Sequence, residues 1–261
     1  MTSTMIAPRV LALANQKGGV GKTTVTINVG AALAEDGRRT LLVDLDPQGH
    51  LTEGLGLDEA SEPLTLAAAL AGGRIPAEKL VAHHSESLDV IPSSVDLFLA
   101  ERTLLNLHGR EYRLERTLAP LVASYDFILI DCPPTLGLLT DNALVAARRA
   151  LVPIQPEDTS LRALELFMDQ VNSLAEGLGV AVEVLGLVVN QDDDTLVARR
   201  TLETVASAVP VPVLARIRRR TRLREAWAVG QPITATDGQG DVAAAFRELA
   251  GALQRRCEVR A

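Results

Sequence analysis

The sequence predicts an α/β protein built on a single doubly wound, mostly parallel sheet flanked by helices. Three observations carry that expectation. Apolar runs of strand length alternate with runs at helical spacing through most of the 261 residues. Several strand-like runs close on an acid or a proline, as at Asp46-Pro47, Asp131-Cys132-Pro133 and Pro156. Hydrophobic residues make up 47% of the chain but aromatic residues only 3%. The core must therefore be built from Leu, Val, Ile and Ala, which suits a sheet covered by helices.

Val10–Ala14 reads as the first buried strand and leads into a glycine-rich loop. Thr24–Glu35 repeats apolar positions at helical spacing and stops at Gly37. Thr40–Leu45 is a β-rich run. Strand, loop, helix and strand in under 50 residues make a βαβ unit, whose strands are expected to be parallel neighbours with a right-handed crossover. Roughly 50–120 is less patterned: Leu64–Leu70 and Arg113–Val122 read as helical, Leu88–Pro92 as a strand. The sheet pattern returns with Phe127–Ile130 and Ala150–Gln155. Leu161–Leu174 is helical, Val182–Asn190, Thr195–Ala206 and Val211–Leu214 continue strand, helix, strand, and Val242–Leu253 reads as a closing helix. No repeat and no linker rich in Pro, Gly or Ser divides the chain, so one domain over residues 1–261 is expected.

Composition narrows the function classes. Cys132 and Cys257 lack metal spacing and form no recognisable redox pair, as expected in a reducing interior. The start shows no basic segment leading into a long apolar run, and no apolar stretch approaches ~18 residues, so neither a secretory signal nor a membrane span is expected. A soluble, cytoplasmic protein follows as the expectation. The net charge of −7 argues against a surface given over wholly to nucleic acid, yet allows a local basic patch. Only Lys17, Lys22 and Lys79 are lysines among 26 basic residues, and two of them fall in the glycine-rich loop. An ammonium on a flexible stem suits a phosphate cradle in a way that a guanidinium fork does not.

That loop reads KGGVGKTT over residues 17–24. It keeps the Gly21-Lys22-Thr23 end of the pattern G-x-x-x-x-G-K-[ST], but Gln16 stands where the first glycine belongs. The result is a P-loop NTPase type of fold with a deviant Walker A motif. Glycines let successive N–H groups turn inward around an anion while the following helix presents its positive end. Gly18, Gly19, Val20 and Gly21 would form the cradle for ATP. Lys22 would reach the β- and γ-phosphates, Thr23 would place its hydroxyl on Mg²⁺, and Thr24 would cap the helix or touch phosphate. The bland alternative is a glycine-rich turn before an ordinary helix.

Carboxylates are expected to converge on this loop, because ligand sites in parallel sheets lie beyond the C-terminal strand ends. Asp131, after four apolar residues, is the candidate for a water-mediated Mg²⁺ contact. Asp46 is the candidate to orient the attacking water, through Mg²⁺-bound water among other routes. Asp44 reads equally as an outer contact to the ion or as a structural cap.

At these residues the chain resembles the ParA/Soj family of chromosome- and plasmid-partitioning ATPases, relatives of the cell-division regulator MinD. The resemblance rests on ANQKGGVGKTTVTINVGAALA, LLVDLDPQGHLTEGLG, YDFILIDCPPTLGLLTDNAL and RLREAWAVGQPI, and it is thin between about 58 and 105. It implies that Lys17 is a signature lysine crossing an ATP-sandwiched homodimer to touch the partner's phosphates. It also implies catalytic support from Lys22 and Asp46, a magnesium-side role for Asp131, and a nucleotide-sensing loop around Pro134. Further implications are non-specific double-stranded DNA binding by the ATP dimer, nucleoid association, and hydrolysis stimulated by a ParB-type centromere-binding partner, with no membrane involved.

The sequence adds a feature of its own. RIRRRTRLRE carries Arg216, Arg218, Arg219, Arg220, Arg222 and Arg224 and a single acid, Glu225. Such a cluster attracts phosphates without reading bases. Arg219 and Arg222 match arginines of the family pattern. The alternative is a solvated helix end that pairs with internal acids. Two departures from the family stand out: Asp194 replaces an arginine shortly before Thr195, and PIQPEDTSLRAL lacks the usual aromatic and glycine. Asn190 is read as a contact to adenine.

The principal rival is a MinD-like membrane-positioning ATPase, which should end in a membrane-targeting amphipathic helix. The tail AAAFRELAGALQRRCEVRA mixes acids with arginines on its polar face, and its apolar face reads as sheet-packing. A metal-cluster carrier would want cysteines at a dimer surface, and a small-molecule kinase a dedicated acceptor pocket. Only residues 1–8 precede Arg9, so no added helix-turn-helix domain is expected.

Overall fold

The computed structural model describes residues 9–60 and 63–258. The readings of residues 1–8 lie outside them.

The chain runs β1 (Arg9–Leu13), α1 (Lys22–Glu35), β2 (Thr40–Asp44), α2 (His50–Gly54), α3 (Leu66–Leu70), β3 (Ala82–Ser85), β4 (Leu88–Ile91), α4 (Leu97–Leu104) and α5 (Arg113–Leu118). It continues through β5 (Phe127–Asp131), α6 (Leu138–Ala147), β6 (Arg149–Ile154), α7 (Thr159–Leu178), β7 (Glu183–Asp192) and α8 (Leu196–Ala208). It closes with β8 (Val213–Arg218), α9 (Arg222–Ala228), α10 (Ile233–Thr236) and α11 (Asp241–Glu258). The expected strands and long helices are present with boundaries moved by a few residues. The reading missed α2, β3, α4, α6, α9 and α10. Short helices show too few periods to register, and β3 (Ala-His-His-Ser) has none of the apolar alternation that marks a strand.

The strands form one sheet in the order β3-β4-β2-β5-β1-β6-β7-β8. All pairs are parallel except β3 with β4. One expectation is corrected here. β1 and β2 are not neighbours, because β5 inserts between them and pairs with both. The apolar FILI run of β5 is fully buried and fills the most covered place in the sheet, a preference that spacing within the first 50 residues cannot reveal.

Alternation along the strands sends side chains to two cores. Ala12, Leu41, Val43, Ile128 and Ile130 face the layer of α3 to α8. Leu11, Leu13, Leu42, Phe127 and Leu129 face α1, α2, α9, α10 and α11. Gly30 lets α1 press onto the sheet, since a Cβ there would lie 2.5 Å from Leu42. This contact fixes where the N-terminal end of α1 points. The buried face of α11, with Val242, Phe246, Leu249 and Leu253, packs into the same core.

Candidate functional site: a phosphate loop among three buried acids

β1 stops at Leu13, and the chain crosses to α1 through residues 14–21 at the C-terminal edge of the sheet. Gly19 (φ 76°) and Gly21 (φ 87°) adopt the left-handed region that side chains disfavour. Gly21 is also the residue that caps α1, and a Cβ on it would sit 2.0 Å from Asn190 Nδ2. The loop is braced from outside by strand-end amides. Asn190 donates to the Val20 carbonyl (2.8 Å), while Gln155 (3.1 Å) and Gln191 (3.0 Å) both donate to the Gly19 carbonyl. Gln155 and Gln191 were not singled out from the sequence. Their signal was an amide at the end of a buried apolar run, Gln155 just after β6 and Gln191 next to last in β7.

Lys22 opens α1 and is buried, with 6% of its surface exposed. Among the described residues its ammonium makes no hydrogen bond or ion pair. Burial lowers its pKa, and the fields of Asp131, Cys132 and Asp46 oppose that shift. A buried cation without a direct partner is costly, and an anion in the loop would remove that cost.

The acids come together because β5 lies beside β2: Asp44 and Asp131 stand in register. Asp131 is fully buried and accepts from the Thr23 hydroxyl (2.6 Å) and the Thr26 hydroxyl (3.2 Å). Burial, followed by the nearby Asp44 charge, pushes its pKa up to about 8. Asp44 accepts from the Thr52 N–H (2.9 Å) and hydroxyl (2.7 Å), with its pKa raised to about 6 chiefly by burial. Of the two readings left open for Asp44, the cap is the one its contacts match. Asp46 is 6% exposed, accepts from the Gln48 N–H (3.0 Å), and is anchored through its carbonyl by Ser93 (2.6 Å). Thr23 and Asp131 offer hard oxygens suited to Mg²⁺. Among the described residues no group of three or more His, Cys, Asp or Glu could hold a metal by itself.

Lys17 points elsewhere. Its ammonium pairs with Glu157, in the segment between β6 and α7, and donates to Thr159 Oγ1 (2.8 Å) at the start of α7. To reach the phosphates of a second copy it has to leave these partners. Gly18 lies near Pro134, with 3.9 Å from its Cβ position to the Pro134 Cβ.

The arginine run covers the end of edge strand β8, a short turn and the start of α9. All six side chains are exposed. Arg216 pairs with Asp192 (2.7 Å), Arg220 with Asp241 (2.7 Å) and Arg222 with Glu225 (3.2 Å). Arg219 donates to Gln191 Oε1 (3.2 Å). The side chains of Arg218 and Arg224 make no hydrogen bond or ion pair among the described residues. Arg218, Arg219, Arg220 and Arg224 also wall a cavity of about 260 Å³ with Thr24, Asn190, Gln191, Leu223 and Trp227. The cavity opens beside the phosphate loop, so part of the run faces the loop's ligand space.

A left-handed glycine ahead of a helix, a lysine at the start of that helix with no direct partner among the described residues, and a threonine-aspartate bond from the adjacent strand define a P-loop NTPase. A protein family described as AAA domain matches residues 8–184. The chromosome partitioning protein ParA of Myxococcus xanthus is 39% identical over 250 residues, covering 95% of this chain and 88% of that one. The Mycobacterium smegmatis protein solved as cobyrinic acid a,c-diamide synthase with bound ATP analogue and magnesium has a TM-score of 0.84 at 39% identity, covering 96% of each chain. MinD of Pyrococcus horikoshii, complexed with Mg-ADP, has a TM-score of 0.79 at 28% identity, covering 97% of this chain and 99% of that one.

The chain belongs to the ParA/Soj family of P-loop partitioning ATPases, within the superfamily that includes MinD. Among the described residues no helix is long and apolar enough to cross a membrane.

Proposed function

We propose that the chain is an ATP-dependent DNA-partitioning switch formed by one ATPase domain. Two copies close face to face on Mg-ATP, the dimer holds double-stranded DNA without sequence preference, and slow hydrolysis stimulated by a ParB-type partner opens it. The observation that carries this reading is Lys22, a largely buried lysine whose ammonium has no direct partner among the described residues, beside the left-handed Gly19 and Gly21. Such a group is stable when a polyphosphate meets it.

In this reading the N–H groups of Gly18, Gly19, Val20 and Gly21 cradle the phosphates, Lys22 neutralises their β/γ end, and Thr24 and Asn190 face the nucleoside side. Thr23 and Asp131 would hold Mg²⁺. The bound ion would neutralise charge on the phosphates. Asp46, held by Gln48 and Ser93, orients the attacking water. Lys17 swings from Glu157 to the partner's phosphates, offsetting the repulsion of two triphosphates buried close together. Arg219 and Arg224, which form no ion pair among the described residues, and Arg218, which interacts with Asp194 and Asp241 only through their fields, supply the contacts to DNA phosphates, with Arg216, Arg220 and Arg222 adding to the field.

The MinD-like membrane reading is disfavoured by α11, whose apolar face is already committed to the core. The amide-forming activity named for the M. smegmatis protein predicts phosphate release tied to an acceptor. Light scattering of wild type and Asp46→Ala with ADP, with ATP, and with ATP plus non-specific duplex DNA tests the proposal. Dimers only with ATP, and a larger species with DNA, are expected. One oligomeric state under all three conditions would refute it.

A further inference from the structure

The end of β7 touches both halves of the machinery described above, and one side chain spans them. Gln191 Nε2 donates to the Gly19 carbonyl of the phosphate loop (3.0 Å), and Gln191 Oε1 accepts from Arg219 of the arginine run (3.2 Å). Asp192 alongside reinforces the arginine half of the link, because the Arg219 N–H donates to the Asp192 carbonyl (3.1 Å) and the Asp192 carboxylate holds Arg216 (2.7 Å).

Gln191 does this from an unfavourable backbone. Its φ of 55° lies in the left-handed region, as do those of only two other non-glycine residues among the described ones, Arg148 and Asp194. Glycine or asparagine would suit that backbone better. Neither has the length and the two-headed amide to reach a carbonyl on one side and a guanidinium on the other. Backbone strain held in place by such a bridge marks a working position. Loop bracing alone does not account for it, since Gln155 already donates to the same Gly19 carbonyl (3.1 Å).

We propose that Gln191 is a positioning residue that couples the state of the phosphate loop to the availability of Arg219 for DNA. This rests on the partitioning-switch reading above. The peptide units of the loop must turn to present their N–H groups to phosphate, and the Gly19 carbonyl turns with them. Withdrawal of that acceptor frees the Gln191 amide to rotate, and the bond holding Arg219 over the cavity goes with it.

Two variants break the bridge in different ways. Gln191→Gly removes both bonds and relieves the backbone, leaving Arg219 untethered in every state. Gln191→Glu keeps an acceptor for Arg219, now charged, but loses the donor to Gly19, so Arg219 stays held in every state. Affinity for a fluorescent random-sequence duplex is measured by anisotropy with ADP and with a slowly hydrolysed ATP analogue, both with Mg²⁺. Nucleotide affinity, oligomeric state and melting temperature are measured on the same samples.

Wild type should bind the duplex at least about tenfold tighter with the analogue, within the usual span of a coupling between sites. In Gln191→Gly the ratio should collapse because the ADP form binds DNA more tightly. In Gln191→Glu it should collapse because the ATP-analogue form binds more weakly. A purely structural role would move both states together. Wild-type ratios in both variants would overturn the coupling, as would loss of nucleotide binding or of the ATP dimer in both. If Gln191→Gly fails to fold, Gln191→Glu decides alone. The double variant Arg219→Glu, Arg222→Glu separates the two levels. If it loses DNA binding while the Gln191 variants keep the wild-type ratio, only the coupling fails. If it binds DNA as wild type does, the DNA surface and the coupling fail together.

Discussion

The Thr23 hydroxyl donates a 2.6 Å hydrogen bond to the Asp131 carboxylate, joining the first turn of α1 to the last residue of β5. This bond crosses 108 residues of sequence and puts a helix terminus, a hydroxyl and a carboxylate at one point. Around it Asp44, Asp46 and Asp131 are crowded and buried, with Lys22 as the nearby cation.

That crowding is a cost in the nucleotide-free protein. Asp131→Asn keeps an oxygen for Thr23 and removes a carboxyl that burial keeps protonated in the fold up to about pH 8, although it ionises freely once the chain unfolds. It should therefore raise the melting temperature of the nucleotide-free protein by a few degrees, on the order of 1 kcal/mol, while reducing the further rise produced by Mg-ATP. Scanning fluorimetry with and without Mg-ATP measures both. A lower melting temperature without nucleotide would show that the bonds from Thr23 and Thr26 to the Asp131 carboxyl outweigh the cost of burying it.

Lys22→Ala removes the ammonium that faces the loop. ATP affinity should fall by roughly 100-fold, about the value of one or two charge-assisted hydrogen bonds. Titration calorimetry reads it directly. Near-wild-type affinity would remove Lys22 from the phosphate site.

Asp46→Ala leaves Thr23, Lys22 and the loop in place. Dimers should still form with ATP, while phosphate release slows by about 100-fold or more. Rapid turnover in this variant would take the orienting of the attacking water away from Asp46.

The paired charges of the arginine run make a salt titration informative. Arg219→Glu with Arg222→Glu should weaken duplex binding with ATP affinity preserved. The slope of log affinity against log salt should fall by roughly one, for the phosphate contact of Arg219, with a smaller further drop from the lost field of Arg222. An unchanged slope would move the DNA surface elsewhere. Because Arg222 already pairs with Glu225, the Arg219 substitution should account for the larger share.

Lys17 must leave Glu157 to act on a second copy. Glu157→Gln should favour the ATP dimer by up to about fivefold, since a half-exposed ion pair contributes below about 1 kcal/mol. Lys17→Ala should abolish the dimer. Sedimentation velocity with ATP compares them, and a weaker dimer in Glu157→Gln would mean that Glu157 positions Lys17 for assembly instead of restraining it.

How much was legible depended on distance along the chain. The segment from β1 through the loop into α1 is contiguous, so glycine spacing, Lys22, Thr23 and the helical repeat could be read locally. The strand ends that carry Asp44 and Asp131 were visible as acids closing apolar runs. The arginine run was visible as charge, although its partners Asp192, Gln191 and Asp241 were not. Glu157, which holds Lys17, gave no signal, being one acid among 33 acidic residues.

The sequence alone determined the local chemistry of the phosphate loop and the two-faced sheet, because both depend on residues a few positions apart. Only the tertiary structure decided that β5 enters between β1 and β2, so that Asp131 meets Thr23, and that β7 ends against the loop and the arginine run together. The physical reason is that the order of parallel strands is set by burial of whole strands across long crossovers. Local spacing fixes which face a side chain takes, while the packing of distant elements fixes its neighbours.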